Sequence, residues 1–242
     1  MRTICIIQAR TGSSRLSGKV LMKIGNRTIV EIIHDRLKKC GDTIDDIIFA
    51  IPDSDSEKEL EELLINKGYS YFRGSELNVL ERYYKCAKKY KGDIIVRATC
   101  DNPLVDYNVV RELVNVVINE GADYIIKKEL PIGITTEAMN FNSLEEAYLN
   151  SDKDYHKEHV TAYFLDHPEK YNNVTLHAEG IFNKPNYRFT LDTEEDYNLM
   201  KVIYKSLYKG EELEVADVIK FIDNNTELIG INKNIRQKSY KE

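Results

Sequence analysis

A chain of 242 residues, 42% apolar and 31% charged, carries enough hydrophobic material for one folded domain and excludes wholesale disorder. Its formal net charge of -6 argues against a protein that coats nucleic acid nonspecifically, so cations that bind phosphate must act locally. No apolar run reaches the roughly 20 residues of a membrane span, MRTICIIQAR is charged too early for a secretory signal, and Cys5, Cys40, Cys86 and Cys100 form no Cys-x-x-Cys pair; the expectation is a cytoplasmic protein with reduced core cysteines and neither a nucleic-acid nor a membrane partner.

Along the first half, short β-branched runs alternate with segments of helical period. Strands are predicted over 3–8, 46–51, 69–72, 93–98 and 122–127, and helices over 29–40, 56–67, 78–90 and 107–120. This alternation predicts an α/β fold with a mostly parallel sheet flanked by helices. In the second half, PIGITTEAMNFNSLEEAY reads as a strand or loop entering a helix, and DYHKEHVTAYFLDHPEKY as a polar helix stopped near Pro168. A strand over 187–191 then runs into a helix over 194–208, with a late helix over 215–224. No linker or repeat divides the chain, so a single domain is expected over 1–230, with a loose basic tail over 231–242.

The segment QARTGSSRLSGKVL, residues 8–21, sets Arg10, Arg15 and Lys19 in a glycine-punctuated loop behind the first strand. Three cations so close repel one another unless an anion lies among them. A Walker loop is excluded, since five residues separate Gly12 from Gly18 and Val20 follows Lys19; the dinucleotide Gly-x-Gly-x-x-Gly is missing too. What remains is a loop at the carboxyl end of a strand, where Gly12, Ser13 and Ser14 let backbone N–H groups approach phosphate oxygens. A surface turn with solvated cations is the competing reading, and spacing alone does not separate the two.

Four further stretches accompany this loop in order: YFRGSELNVLERYYKCAKKY, DIIVRATCDNPLVD, KEHVTAY and RFTLDTEEDY. Together the five resemble the motifs of the cytidylyltransferases that activate acidic sugars, the acylneuraminate and 3-deoxy-manno-octulosonate enzymes, and most of all their spore-coat-polysaccharide branch. The resemblance spans residues 3–205. It implies a Rossmann-like nucleotide-diphospho-sugar transferase fold with a mixed, mostly parallel sheet, binding of CTP and magnesium, and a homodimer formed through the second half. By the same resemblance Arg10, Arg15 and Lys19 are the triphosphate ligands, with Gln8, Ala9, Gly12 and Ser13 adding backbone and small-group contacts. Arg73, Gly74, Ser75 and Asn78 correspond to the part that recognises cytosine and ribose. Asp101 and Asp192 correspond to the metal carboxylates, Asp101 also serving the nucleotide. Asn102, Glu137, Glu158 and His159 fall in the acceptor region. Two departures stand out: Ser17 replaces the usual proline, and Thr135 stands where related enzymes often carry aspartate.

The implied reaction is transfer of CMP from CTP to a small acidic sugar or related hydroxy acid, with release of pyrophosphate. A phosphorylated acceptor giving a CDP-linked product, and a noncatalytic nucleotide-binding partner, are the alternatives. Asp101 and Asp192 each follow an apolar strand, so both can reach one rim of the sheet and supply the one or two carboxylates magnesium takes from protein. The competing reading makes them helix caps. His156 and His159 in HKEH sit three apart, a spacing that can chelate zinc, but without the His-Glu-x-x-His order or a third ligand. In RYYKCAKKY the spacing of Tyr83, Ala87 and Tyr90 favours packing on a sheet over stacking on nucleic-acid bases.

Overall fold

The computed structural model describes residues 1–237. The chain runs through β1 (Thr3–Gln8), the hairpin strands β2 (Lys23–Ile24) and β3 (Arg27–Thr28), α1 (Ile29–Lys38), β4 (Asp46–Pro52), α2 (Lys58–Lys67), β5 (Ser70–Gly74), α3 (Val79–Tyr90), β6 (Ile94–Thr99) and α4 (Tyr107–Glu120). It continues through β7 (Tyr124–Lys128), β8 (Glu137–Asn140), α5 (Phe141–Asn150), α6 (Asp154–Glu158), α7 (Ala162–Asp166), β9 (Asn173–His177), α8 (Glu194–Leu207) and α9 (Val215–Asn224).

Why β1 is central is visible in its sequence: Ile4, Cys5, Ile6 and Ile7 are fully buried, a continuous apolar run that demands cover on both faces. Alternation splits the run, Cys5 and Ile7 joining one apolar cluster and Ile4 and Ile6 the other. The first cluster packs under α1, α2, α4, α8 and α9; the second packs under α3, α5 and α7. Tyr83 lies in the second, fully buried, with its hydroxyl donating to the carbonyls of Ile6 and Ala98, which accounts for the aromatic run in α3 as packing. All four cysteines are buried and unbridged.

The sheet has the order β5-β4-β1-β6-β8-β7-β9, parallel from β5 to β6, with β8 antiparallel to both β6 and β7. This is the mixed, mostly parallel sheet that the sequence reading expects. Its register sets Arg97 of β6 opposite Glu137 of β8. No helix among the described residues is long and apolar enough to cross a membrane.

Several elements differ from the sequence reading, among them the short β2–β3 hairpin, which it does not contain. Residues 187–191 form no sheet strand; they are an extended segment clipped between two loops. Ile132 N–H donates to the Tyr187 carbonyl, Phe189 N–H to Ile132, and Leu191 N–H to Asp101, with a single parallel bridge at Ile132 and Arg188. The polar helix expected through KEHVTAY is broken into α6 and α7 at His159, whose backbone is extended, because Thr161 hydrogen-bonds the buried Glu137 and Val160 enters the core. β9 was not foreseen. Nor is the tail loose where it is described: Asn232 is buried, donating to the Arg188 carbonyl and to Asp196, while residues 238–242 of that tail lie outside the described residues.

The clip at 132–133 depends on glycine. Gly133 has φ +95°, and a Cβ there would meet the Thr190 nitrogen at 2.4 Å and the Phe189 carbonyl carbon at 2.7 Å. Both obstacles are backbone, so Gly133→Ala must push apart the segment that ends at Asp192. Such a variant is expected to lose about 2 kcal/mol or more of stability and most of its activity, read by thermal unfolding and turnover.

Candidate active site

The loop after β1 is anchored before it is charged. The backbone N–H of Thr11 donates to the Glu57 carboxylate at 2.9 Å and its hydroxyl at 3.1 Å, and Glu57 is buried. Gly18 N–H closes the loop on the Thr11 carbonyl, and Gly18 sits at φ +66°, a left-handed position that favours glycine. That turn sends Lys19 inward.

There the Lys19 ammonium donates to Asp101 Oδ2 and to Asp192 Oδ1, each at 2.9 Å. Two carboxylates 91 positions apart in sequence thus meet on one cation beside the loop. Asp101 Oδ1 accepts from the Thr99 hydroxyl at 2.7 Å. Asp192 Oδ2 faces Arg15 at 3.2 Å and Arg188 at 2.9 Å. Neither aspartate is a helix cap: Asp106 caps α4 and Thr193 caps α8.

Charge pairing dominates the protonation of this cluster. Burial alone would raise the Asp192 carboxyl, but Lys19, Arg15 and Arg188 together hold it below its ordinary value. Burial would lower the Lys19 ammonium, and Asp101 and Asp192 instead raise it. The signs give two limits. The stabilising contribution of Asp192 is present above about pH 4 and is lost as pH falls through its depressed native value; that of Lys19 is full below about pH 10 and is lost as pH rises through its elevated one.

A cavity of about 460 Å³ opens over this cluster, lined among others by Gln8, Arg10, Ser13, Arg15, Lys19, Asp101, Asn102, Glu158, His159 and Asp192. A second, of about 700 Å³, adjoins it and is lined by Tyr124, Thr135, Thr136, Glu137 and Thr161 among others. Arg97, Thr99, Asn102, His159 and Gln237 line both. Burial pushes the His159 imidazole below its ordinary pKa, a shift that the Glu158 charge opposes and the Arg97 charge reinforces. The break between α6 and α7 turns it into the cavities, whereas His156 is buried against Asp166, so the two histidines do not share a metal-binding face.

Other residues singled out in the sequence lie elsewhere. Ala9 is buried and fixes the loop through its N–H to the Ala50 carbonyl; Gly12 is outside the lining of either cavity, with open space where a Cβ would stand. Arg73, Gly74, Ser75 and Asn78 are not among the residues that line the two cavities; they follow one another from the carboxyl end of the edge strand β5 to the start of α3. Arg73 is held by Asp53 and Glu61, Gly74 packs closely on Phe72 and Arg82, and Ser75 and Asn78 form the start of α3. Glu137 is in the second cavity but fully engaged, accepting from Arg97, Tyr124 and Thr161.

Sequence reasoning missed Arg97, Arg188, Asp196 and Gln237. Arg188 is buried, forks onto Asp196 and Asp192, and donates to Gln237. One signal was available: a lone arginine inside an apolar run, in IIVRAT and in YRFTL, is costly to bury unless paired.

Hard carboxylate oxygens converging beside a cationic loop at the carboxyl edge of a Rossmann-like mixed sheet define an enzyme class, the nucleotidyltransferases. Within that class the chain belongs to the cytidylyltransferase family, whose model matches residues 4–222. It is 34% identical to the spore coat polysaccharide biosynthesis protein SpsF of Bacillus subtilis, over 91% of this chain and 93% of that one. To the 3-deoxy-manno-octulosonate cytidylyltransferase of Fusobacterium nucleatum it is 25% identical, over 96% of this chain and 92% of that one. The solved structure of a cytidylyltransferase from Leptospira borgpetersenii superposes with a TM-score of 0.87 at 29% identity, covering 99% of this chain and 100% of that one.

Proposed function

We propose that this cytidylyltransferase moves CMP from CTP to an acidic sugar, releasing pyrophosphate, in the assembly of a surface polysaccharide. The observation that carries the reading is the meeting of Lys19, Asp101 and Asp192 in a cavity that adjoins a second and shares five lining residues with it. The first suits a nucleotide triphosphate. The second, lined by Tyr124, Thr135, Thr136 and Thr161 together with apolar side chains such as Ile126 and Leu165, is where a sugar acceptor would lie.

In the proposed reaction an acceptor hydroxyl oxygen attacks the α-phosphorus. The bond to the bridging oxygen of the β-phosphate breaks, its electron pair leaves with pyrophosphate, and the hydroxyl proton passes to solvent. Anion approaches anion, so the work of the protein is charge neutralisation and alignment. Arg10, Arg15 and Lys19 neutralise the phosphate oxygens. The oxygen donors at Asp101 and Asp192 fit magnesium, which takes one or two protein carboxylates beside phosphate oxygens. Bound there, it would polarise the α-phosphate and stabilise charge on the leaving oxygens.

The test is pyrophosphate release with magnesium, across the four ribonucleoside triphosphates and a panel of acidic sugars, neutral sugars and sugar phosphates. Release with CTP and an acidic sugar is expected. Release only with sugar phosphates would replace the reading by a CDP-forming one, and no release from any pair would leave a nucleotide-binding partner.

A further inference from the structure

We propose that Arg97 selects the acceptor, receiving its carboxylate where the two cavities meet, with Glu137 as the residue that positions the guanidinium. The proposal rests on the acidic-sugar reading and adds the residue that would enforce it. In a sugar acid whose carboxylate is borne by the anomeric carbon, the carboxylate and the attacking hydroxyl share that carbon. The carboxylate must therefore lie beside the α-phosphate, at the junction, and not at the far wall of the acceptor cavity.

Of the described residues that line both cavities, Arg97 is the one that carries a permanent charge. Lys128 lines the second cavity alone. Arg97 stands in the middle of β6, a strand otherwise apolar to Ala98, and pairs with Glu137 across the ladder. Buried ion pairs are often no more stabilising than an apolar pair of similar size, so pairing with Glu137 does not by itself account for an arginine here. Its geometry suits recognition. Glu137 is itself pinned by Tyr124 and Thr161, which fixes the direction of the guanidinium fork.

Two polar atoms at this place lack partners among the described residues. Arg97 Nε is buried without an acceptor, and so is Thr136 Oγ1, on a residue only 3% exposed that lines the acceptor cavity. Buried polar atoms are nearly always satisfied, so these two mark a place that can still take up a partner through a small local shift, while the part of the Arg97 side chain that is exposed, 20% of it, is what a ligand in the cavity meets. A planar fork with free N–H groups matches a carboxylate in a way that a lysine ammonium does not.

The experiment compares 3-deoxy-manno-octulosonate and N-acetylneuraminate with their C1 carboxamides as acceptors, for the wild type, Arg97→Lys and the double variant R97M/E137Q. The double variant removes the charge pair together, while the amide oxygen that E137Q introduces can still accept from Tyr124 and Thr161; thermal unfolding reports whether it folds. Wild-type kcat/KM should favour acid over amide by about 100-fold or more, falling to within about tenfold in Arg97→Lys and about threefold in the double variant. The loss should fall on acceptor KM, with CTP KM moving less than about threefold. A wild type without preference for the acid overturns the proposal, as does a folded variant that keeps the full preference. A wild type that releases no pyrophosphate with any acid overturns the functional reading as well, which distinguishes the two failures.

Discussion

Asp101→Asn is expected to cut pyrophosphate release by about 10³-fold or more while leaving the fold in place. The substitution keeps the shape of the side chain and an oxygen that can still accept from the Thr99 hydroxyl. What it removes is one of the two negative charges facing Lys19. Asp101 is partly exposed, its side chain at 28%, so losing its ion pair with Lys19 costs little stability. Lys19 retains Asp192 at 2.9 Å. A large fall in turnover with a thermal midpoint within about 3 °C of wild type is therefore the signature of a site residue. The metal assignment makes a finer demand: raising magnesium should recover part of the lost rate, because a weakened site is filled by mass action. Turnover within tenfold of wild type would remove Asp101 from the reacting centre.

How much of this was legible in the sequence depends on where the information lies. β1 and α9 match the ranges predicted for them, since an unbroken apolar run and a clean helical period are local signals. β9 was missed for the converse reason: NVTLH is an edge strand with half its side chains toward solvent, and its pattern is too weak to stand out. Residues 187–191 carry the composition of a strand, yet their hydrogen bonds go to loops at Ile132 and Asp101, which no local pattern records.

The site divides in the same way. Lys19, Asp101 and Asp192 could be named from motifs, but the ammonium that joins the two carboxylates is a tertiary fact. Arg73, which the resemblance assigns to cytosine and ribose recognition, stands at the end of the edge strand β5 in ion pairs with Asp53 and Glu61, partners that no motif names. Gln237 gave no signal at all. It reaches both cavities because Asn232, five residues earlier, is tied to Arg188 and Asp196.

Arg188→Met should be the most destabilising of the single substitutions considered. Arg188 is 5% exposed and Asp196 is 0% exposed, and the guanidinium reaches the two carboxylate oxygens of Asp196 at 2.9 and 3.1 Å. Its removal strands a buried carboxylate, a change that costs about 3–5 kcal/mol, or about 10 °C in thermal midpoint for a chain of this size. Three other donors remain on Asp196, the backbone N–H groups of Asp192 and Thr193 and the amide of Asn232, which places the expected loss toward the lower end of that range. The double variant R188M/D196N removes the stranded charge and should recover most of the stability. It should not recover turnover, because Asp192 Oδ2 has lost the guanidinium that holds it at 2.9 Å. Thermal unfolding and pyrophosphate release on the wild type, the single and the double variant separate the two effects. A double variant no more stable than the single would show that the Arg188 contribution lies in packing, and full turnover in either would show that Asp192 is oriented by Lys19 and Arg15 alone.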